Sequence, residues 1–155
     1  MKKRCSAWVF LFIIVSSTVT SAVITTKIRA SDAVTFIVNR NNSATSVSTQ
    51  ELANYYLKKK TEWPDGTPVR FIDRNAGTLE RKIFLSSILK KTSSDIDLFW
   101  IGQKLYTGDS TPLQVTSDTM MLQMVGSFKG AIGYISPSTA LKEESVKPIK
   151  VVKSE

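Results

Sequence analysis

The 155-residue sequence contains no histidine and one cysteine, Cys5. The missing histidines remove His-based catalytic triads, the usual zinc sites and the commonest general base at neutral pH. Cys5 precedes an apolar run, whereas bacterial lipid attachment needs a cysteine at the end of such a run. With no other cysteine there is no disulfide framework and no thiolate metal site. Internal repeats and low-complexity tracts are also lacking. Little chemistry remains for an enzyme. Asp65, Asp73 and Glu80 are close in sequence, but turn and capping roles explain them more simply. No catalytic residue, metal or cofactor is expected.

Lysine and arginine exceed aspartate and glutamate by 21 to 13, a formal charge of +8. Part of the excess lies in Met1-Lys2-Lys3-Arg4, which is followed by a nearly unbroken apolar run from Ala7 to Val15 and a small, mildly polar stretch from Ser16 to Ala22. Thr20 and Ala22 put small residues at the minus-three and minus-one positions of a cleavage site. This is the layout of a secretory signal peptide over residues 1–22, with cleavage after Ala30 as the alternative. Cleavage after Ala22 takes away three basic residues and no acid, so +8 falls to +5. That excess is modest, and Lys58-Lys59-Lys60 reads as a solvated helix end, so no nucleic-acid partner is expected. The expected location is periplasmic or secreted. The alternative is an inner-membrane anchor over residues 8–24, at the lower limit of length for a span.

Hydrophobic periodicity organises the remainder into one α/β domain over residues 33–152. Val34, Phe36 and Val38 alternate with Thr35 and Ile37 in a strand apolar enough to be central in a sheet. Ser48-Thr49-Gln50-Glu51 is a capping box, with Val47 and Leu52 as its hydrophobic staple, and the helix carries Leu52, Tyr55 and Tyr56 inward. Trp63-Pro64-Asp65-Gly66 is a tight turn. A strand over 69–73 and a helix from Thr78 to about Lys91 follow, the helix with an apolar stripe of Leu79, Ile83, Phe84, Ile88 and Leu89. Ser94 is read as the cap of a third helix that buries Leu98, Ile101 and Leu105, with Phe99 and Trp100 widening the face and Gly108 at the C-cap. Thr111-Pro112 interrupts the chain. A fourth helix begins at Thr116 or Ser117, with Met121, Met124, Val125 and Phe128 inward. Gly130-Ala131-Ile132-Gly133-Tyr134-Ile135 is a short strand, centred on 131–135, whose glycines admit another backbone or a ligand, Ser136-Pro137-Ser138 is a helical turn, and 146–152 is a last strand that Pro148 places at an edge.

The stretch from Val69 to Phe84 is the most informative. Its strand breaks at Asn75-Ala76-Gly77 and restarts as a helix at Thr78. A Gly turn at a helix N-terminus offers backbone N–H groups at the positive end of the dipole. Arg74 adds a fork of donors suited to phosphate or carboxylate. In layered α/β sheets ligands bind beyond the carboxyl ends of strands, and residues 74–78 lie at such an end.

From Val34 to Val152 the sequence resembles the substrate-binding proteins of phosphate ABC transporters. The resemblance rests on Trp63-Pro64-Asp65-Gly66, the strand to Arg74, Gly77-Thr78 opening a helix, Phe99-Trp100 before Gly108, and Gly130-Ala131-Ile132-Gly133-Tyr134-Ile135. It implies a single lobe of a type II periplasmic-binding-protein-like fold, a mixed sheet flanked by helices, of the small single-lobe branch. It also implies phosphate or another small oxyanion as ligand, with Arg74, Asn75, Gly77 and Thr78 as site residues. Two departures stand out. Arginine and glycine are closer together here than in the transporter proteins, and Ala76 replaces a hydroxyl residue, for which Asn75 is the nearest substitute.

Two functions are carried forward. One is an extracytoplasmic anion-binding module working with a transporter, sensor or homodimer partner. The other is a secreted or envelope protein–protein interaction domain that has lost small-ligand binding. They differ in what Arg74 faces: the helix N-terminus, or a carboxylate such as Glu80.

Overall fold

Phe36, Ile37 and Val38 leave strand β1 (Thr35–Asn39) without a solvent face, and it lies inside a sheet. The structure, a computed structural model, describes residues 34–141 and 143–154. The expected signal peptide and the alternative anchor lie outside them. Strands β3 (Arg70–Arg74), β4 (Leu113–Val115), β5 (Ala131–Ile135) and β6 (Val146–Pro148) join β1 in the order β4-β3-β5-β1-β6. β3 runs parallel to both β4 and β5, whereas β1 is antiparallel to β5 and β6. The carboxyl ends of β3, β4 and β5 therefore share one edge of a mixed sheet. A second, two-stranded sheet pairs β2 (Ser46–Ser48) in parallel with β7 (Lys150–Val152).

Alternation along the strands divides the core into two layers. Helices α1 (Thr49–Tyr56), α2 (Leu79–Phe84), which continues as a π-helical turn over Leu85–Leu89, and α3 (Ser93–Thr107) cover one face. There Phe36, Phe71 and Tyr134 meet Tyr56, Phe84 and Trp100. Phe84 stacks on Tyr134 at 4.9 Å, and Tyr56 meets Phe71 edge-on at 5.2 Å. Fully burying one such ring contributes about 2–3 kcal/mol. Helix α4 (Asp118–Ser127) covers the other face, setting Met121, Leu122 and Val125 on Ile37, Ile72 and Ile135.

Local signals set most boundaries. Ser48 and Glu51 form the expected capping box, Thr78 caps α2, Ser117 caps α4, and Gly108 ends α3 in the left-handed conformation. Three readings are corrected. Thr92, not Ser94, caps α3, because its hydroxyl accepts from Asp95 N while the Asp95 carboxylate accepts from Thr92 N, closing a capping box two residues earlier. Residues 146–152 are two strands. The Ile149 N–H bonds to the Phe36 carbonyl and Lys150 N–H to the Thr45 carbonyl, which carries the chain from the large sheet to the small one. Ser136 to Thr139 closes a single i to i+3 turn rather than a turn of helix.

The stripe Leu98, Ile101 and Leu105 is exposed, contrary to expectation, as are Leu79 and Phe128. Ile96 and Trp100, with Phe99 beside them, hold α3 to the core instead. α4 stops at Ser127, one residue short of Phe128, whose ring lies under the Arg70 guanidinium at 3.9 Å. Trp63 is buried, and its indole N–H bonds to the Gly130 carbonyl at 3.0 Å. At Gly130 itself a Cβ would fall 1.9 Å from the Pro68 carbonyl oxygen, so chain, not ligand, makes the close approach.

Candidate functional site

β3 ends in two adjacent charges that alternation sends to opposite faces of the sheet. Asp73 is fully buried toward α1 and α2. It accepts from Tyr56 Oη at 2.9 Å, from the Tyr134 hydroxyl, and from Arg81 Nε at 3.0 Å. Its Oδ1 also accepts the Arg74 backbone N–H at 2.8 Å, fixing the last residue of the strand. The turn or capping role expected of Asp73 is thus replaced by a buried ionic one, and Arg81, an ordinary helix residue in the sequence, is 2% exposed. Burial, then the charge and hydrogen bond of Asp73, push the Tyr134 and Tyr56 phenols well above their usual range. Burial works against the Arg81 charge, but the Asp73 hydrogen bond and charge outweigh it and raise the guanidinium further.

Arg74 points to the other face and is 6% exposed. Its Nη1 is 3.0 Å from Asp118 Oδ1, and its Nη2 is 3.8 Å from Glu80 Oε2. The closer contact is ionic but misaligned, because Arg74 Nε and Nη1 and Asp118 Oδ1 are all buried without a hydrogen-bond partner. Asp118 opens α4, directly after β4. Its other oxygen accepts from Ser136 N at 3.2 Å and from the Thr139 hydroxyl, both just past β5. Residues at the ends of three parallel strands thus converge on Asp118, which meets Arg74 with one oxygen and Ser136 and Thr139 with the other. Asp118, Ser136 and Thr139 escaped sequence reasoning, and the only signal for Asp118 was an acid directly after the cap Ser117.

The other expected site residues build the turn beside Arg74. The Asn75 N–H bonds to the Val115 carbonyl at 3.0 Å, tying the turn to β4. The Asn75 carbonyl accepts from Thr78 N at 3.3 Å and from Thr78 Oγ1 at 3.0 Å. Thr78 Oγ1 in turn accepts from Arg81 N at 3.4 Å. Both Thr78 donors are therefore engaged within the turn. Gly77 adopts φ +90°, which favours glycine, and a Cβ there would face open space.

Two surface grooves, of about 420 and 470 Å³, lie elsewhere. One runs along α3 beside Trp100, Ile101 and Lys104, and the other lies beside Tyr55, Lys58 and Arg70. Arg74 lines neither of these two. Among the described residues there is no group of acids, histidines or cysteines able to hold a metal ion, and no helix is long and apolar enough to cross a membrane.

No family model and no curated protein matches the sequence. Solved structures do. The chain is similar to an ABC-type phosphate transport receptor from Vibrio cholerae, with TM-score 0.57 and 23% identity over 79% of this chain and 47% of that one. It is similar to a protein from Clostridium perfringens solved with bound phosphate, with TM-score 0.57 and 23% identity over 77% of this chain and 44% of that one. It is also similar to PstS from Borrelia burgdorferi, with TM-score 0.61 and 18% identity over 77% of this chain and 47% of that one. The chain spans a little under half the length of each. The fold is therefore the mixed-sheet α/β fold of these binding proteins, as the resemblance over Val34 to Val152 implied.

Proposed function

We propose that this chain is an extracytoplasmic binding module for a small oxyanion, phosphate in the first place, centred on Arg74 at the carboxyl ends of β3 and β4. One observation carries the reading: a nine-tenths-buried arginine has donors at Nε and Nη1 with no hydrogen-bond partner, beside an equally unpartnered acceptor, Asp118 Oδ1. Buried polar atoms are nearly always paired, and an arginine left short of partners is costly. The combination fits phosphate, which near neutral pH has both charged oxygens to accept from arginine and a P–OH to donate to a carboxylate. Sulfate has no such proton, and Asp118 and Glu80 repel it. A phosphate reaches the guanidinium by displacing an acid from it, and Glu80, at 3.8 Å from Nη2, is the more distant of the two. Gly77 leaves room beside the site, and Asn75 and Thr78 hold the turn in shape.

Charge-assisted hydrogen bonds contribute roughly 1.5–3 kcal/mol each. Two or three of them, less the cost of fixing the ligand and of moving Glu80, leave a dissociation constant on the order of a millimolar for one open lobe. A transporter, sensor or second subunit that closes over the site tightens it. The test is calorimetric titration of the protein with phosphate and with sulfate. Binding of phosphate that is lost in Arg74→Ala supports the reading, and no heat from either anion at tens of millimolar removes it.

A second reading gains from what Arg74 faces, since its guanidinium meets the carboxylates of Asp118 and Glu80. Asp118 and Glu80 already neutralise Arg74, so the cluster also serves as an internal clamp in a protein–protein interaction domain that binds no small ligand. Unchanged affinity for a partner protein in Arg74→Met, in the absence of any anion binding, would select it.

A further inference from the structure

Helix α3 is amphipathic twice over. Ile96 and Trp100 bind it to the core, and Phe99 is half-buried beside them. On the opposite side Leu98, Ile101 and Leu105 are 68%, 58% and 78% exposed, with Tyr106 90% exposed at the end. Their spacing, i, i+3 and i+7, draws a single stripe along the helix, the seam geometry of a two-helix contact. An exposed apolar stripe of this kind on a soluble fold marks an interaction surface. Asp97 and Lys104, seven residues apart, lie on the same flank of the stripe near opposite ends of it. Asp97 is 65% exposed at its side chain and only 3.9 Å from Arg81 Nη2, which leaves its second oxygen free to pair.

We infer that a second copy of this chain docks on α3, helix against helix, antiparallel about a two-fold axis near Ile101. The charge pattern selects this occupant. Rotation about that axis sets Leu98 beside Leu105 of the partner subunit, brings Ile101 against Ile101 of the partner subunit, and lays Asp97 alongside Lys104 of the partner subunit. The Leu98–Leu105 and Asp97–Lys104 contacts each occur twice and the Ile101 contact lies on the axis, as a self-complementary two-fold interface requires. Opposed helix directions also set opposite dipole ends side by side. The groove of about 420 Å³ between α3 and residues 109–111 borders Ile101 and Lys104 and receives the flank of the incoming helix. The surface lies away from Arg74, so the inference is independent of whether an anion binds there.

Sedimentation equilibrium of the purified protein from micromolar to submillimolar concentration tests it. A monomer–dimer equilibrium is expected, with a dissociation constant on the order of 10 μM for an interface of this small size. Ile101→Glu, at an exposed position, should leave the circular dichroism spectrum unchanged and weaken the dimer by ~30-fold or more. Asp97→Lys and Lys104→Asp should each weaken it, and the two together should restore it. A protein that stays monomeric throughout overturns the inference, even if some other protein binds the stripe. So does a dimer indifferent to Ile101→Glu, or a charge exchange that fails to restore association.

Discussion

Arg74 and Asp118 lie 3.0 Å apart, one closing β3 and the other opening α4, and neither facing atom has a hydrogen-bond partner. The pair joins the two helix-bearing ends of adjacent parallel strands. Removing the arginine leaves two partly buried acids, Asp118 and Glu80, without their shared counter-charge. Arg74→Ala should therefore destabilise the fold by about 2–3 kcal/mol, less than a fully buried pair because the acids keep some solvent. Urea denaturation measures it.

The Asp73 cluster should be the more sensitive of the two. Asp73 is fully buried and is the hydrogen-bonded counter-charge of Arg81. Asp73→Asn leaves that guanidinium buried beside a neutral group and should cost about 3–5 kcal/mol. Tyr134→Phe, which removes one hydroxyl from the same carboxylate, should cost about 1–2 kcal/mol. Equal losses in the two variants would contradict the ionic role of Asp73.

The raised phenols of Tyr56 and Tyr134 give a direction for alkaline stability. An unfolded tyrosine ionises near pH 10, whereas these two hold their protons to higher pH in the fold. Their contribution is complete below about pH 10 and is lost as pH rises from there through the folded values. The urea midpoint should fall steeply above about pH 10, and Tyr134→Phe should make the fall shallower.

Trp100 is 4% exposed and is one of the few anchors of α3. Trp100→Ala should cost about 3–5 kcal/mol. A loss below about 1 kcal/mol would mean that α3 is not held through this face.

How far the sequence was legible follows from what each signal measures. Strand hydrophobicity and caps are local. They placed β1, β3 and β5 to within a residue or so and named Ser48, Thr78 and Gly108 correctly as terminating residues. Periodicity on α3 was ambiguous because the helix has apolar residues on two sides. The stripe through Leu98 matched the template as well as the one through Ile96, and only the tertiary fold decides which faces the core. β2 and β4 are three residues long, too short for any period to register. Arg74 was legible as a charge at a strand end. Its neighbour Asp118, and the Ser136 and Thr139 that hold Asp118, were not, because three parallel strands bring together residues more than forty positions away from it in the chain. The buried Asp73–Arg81 pair escaped because an acid and a base eight residues apart, across a turn, look like ordinary surface charges.

Export remains a proposal from Met1-Lys2-Lys3-Arg4, the apolar run after it and Thr20-Ser21-Ala22. Intact mass of the protein from the extracytoplasmic fraction should correspond to a chain beginning after Ala22. A mass that retains Met1, in the membrane pellet, would indicate an anchored protein instead.

Paired titrations decide whether Arg74 and Asp118 form a phosphate site. Calorimetry on the wild type, Arg74→Ala and Asp118→Asn, each with phosphate and with sulfate, separates the roles. Wild type should bind phosphate with a dissociation constant on the order of a millimolar and sulfate much more weakly. Arg74→Ala should bind neither, and Asp118→Asn, with its acceptor turned into a donor, should bind sulfate about as well as phosphate. Higher salt should weaken the phosphate binding, because part of the attraction is screened charge. Absence of phosphate binding in the wild type at tens of millimolar, or binding that survives Arg74→Ala, would mean that Arg74 and Asp118 do not form such a site.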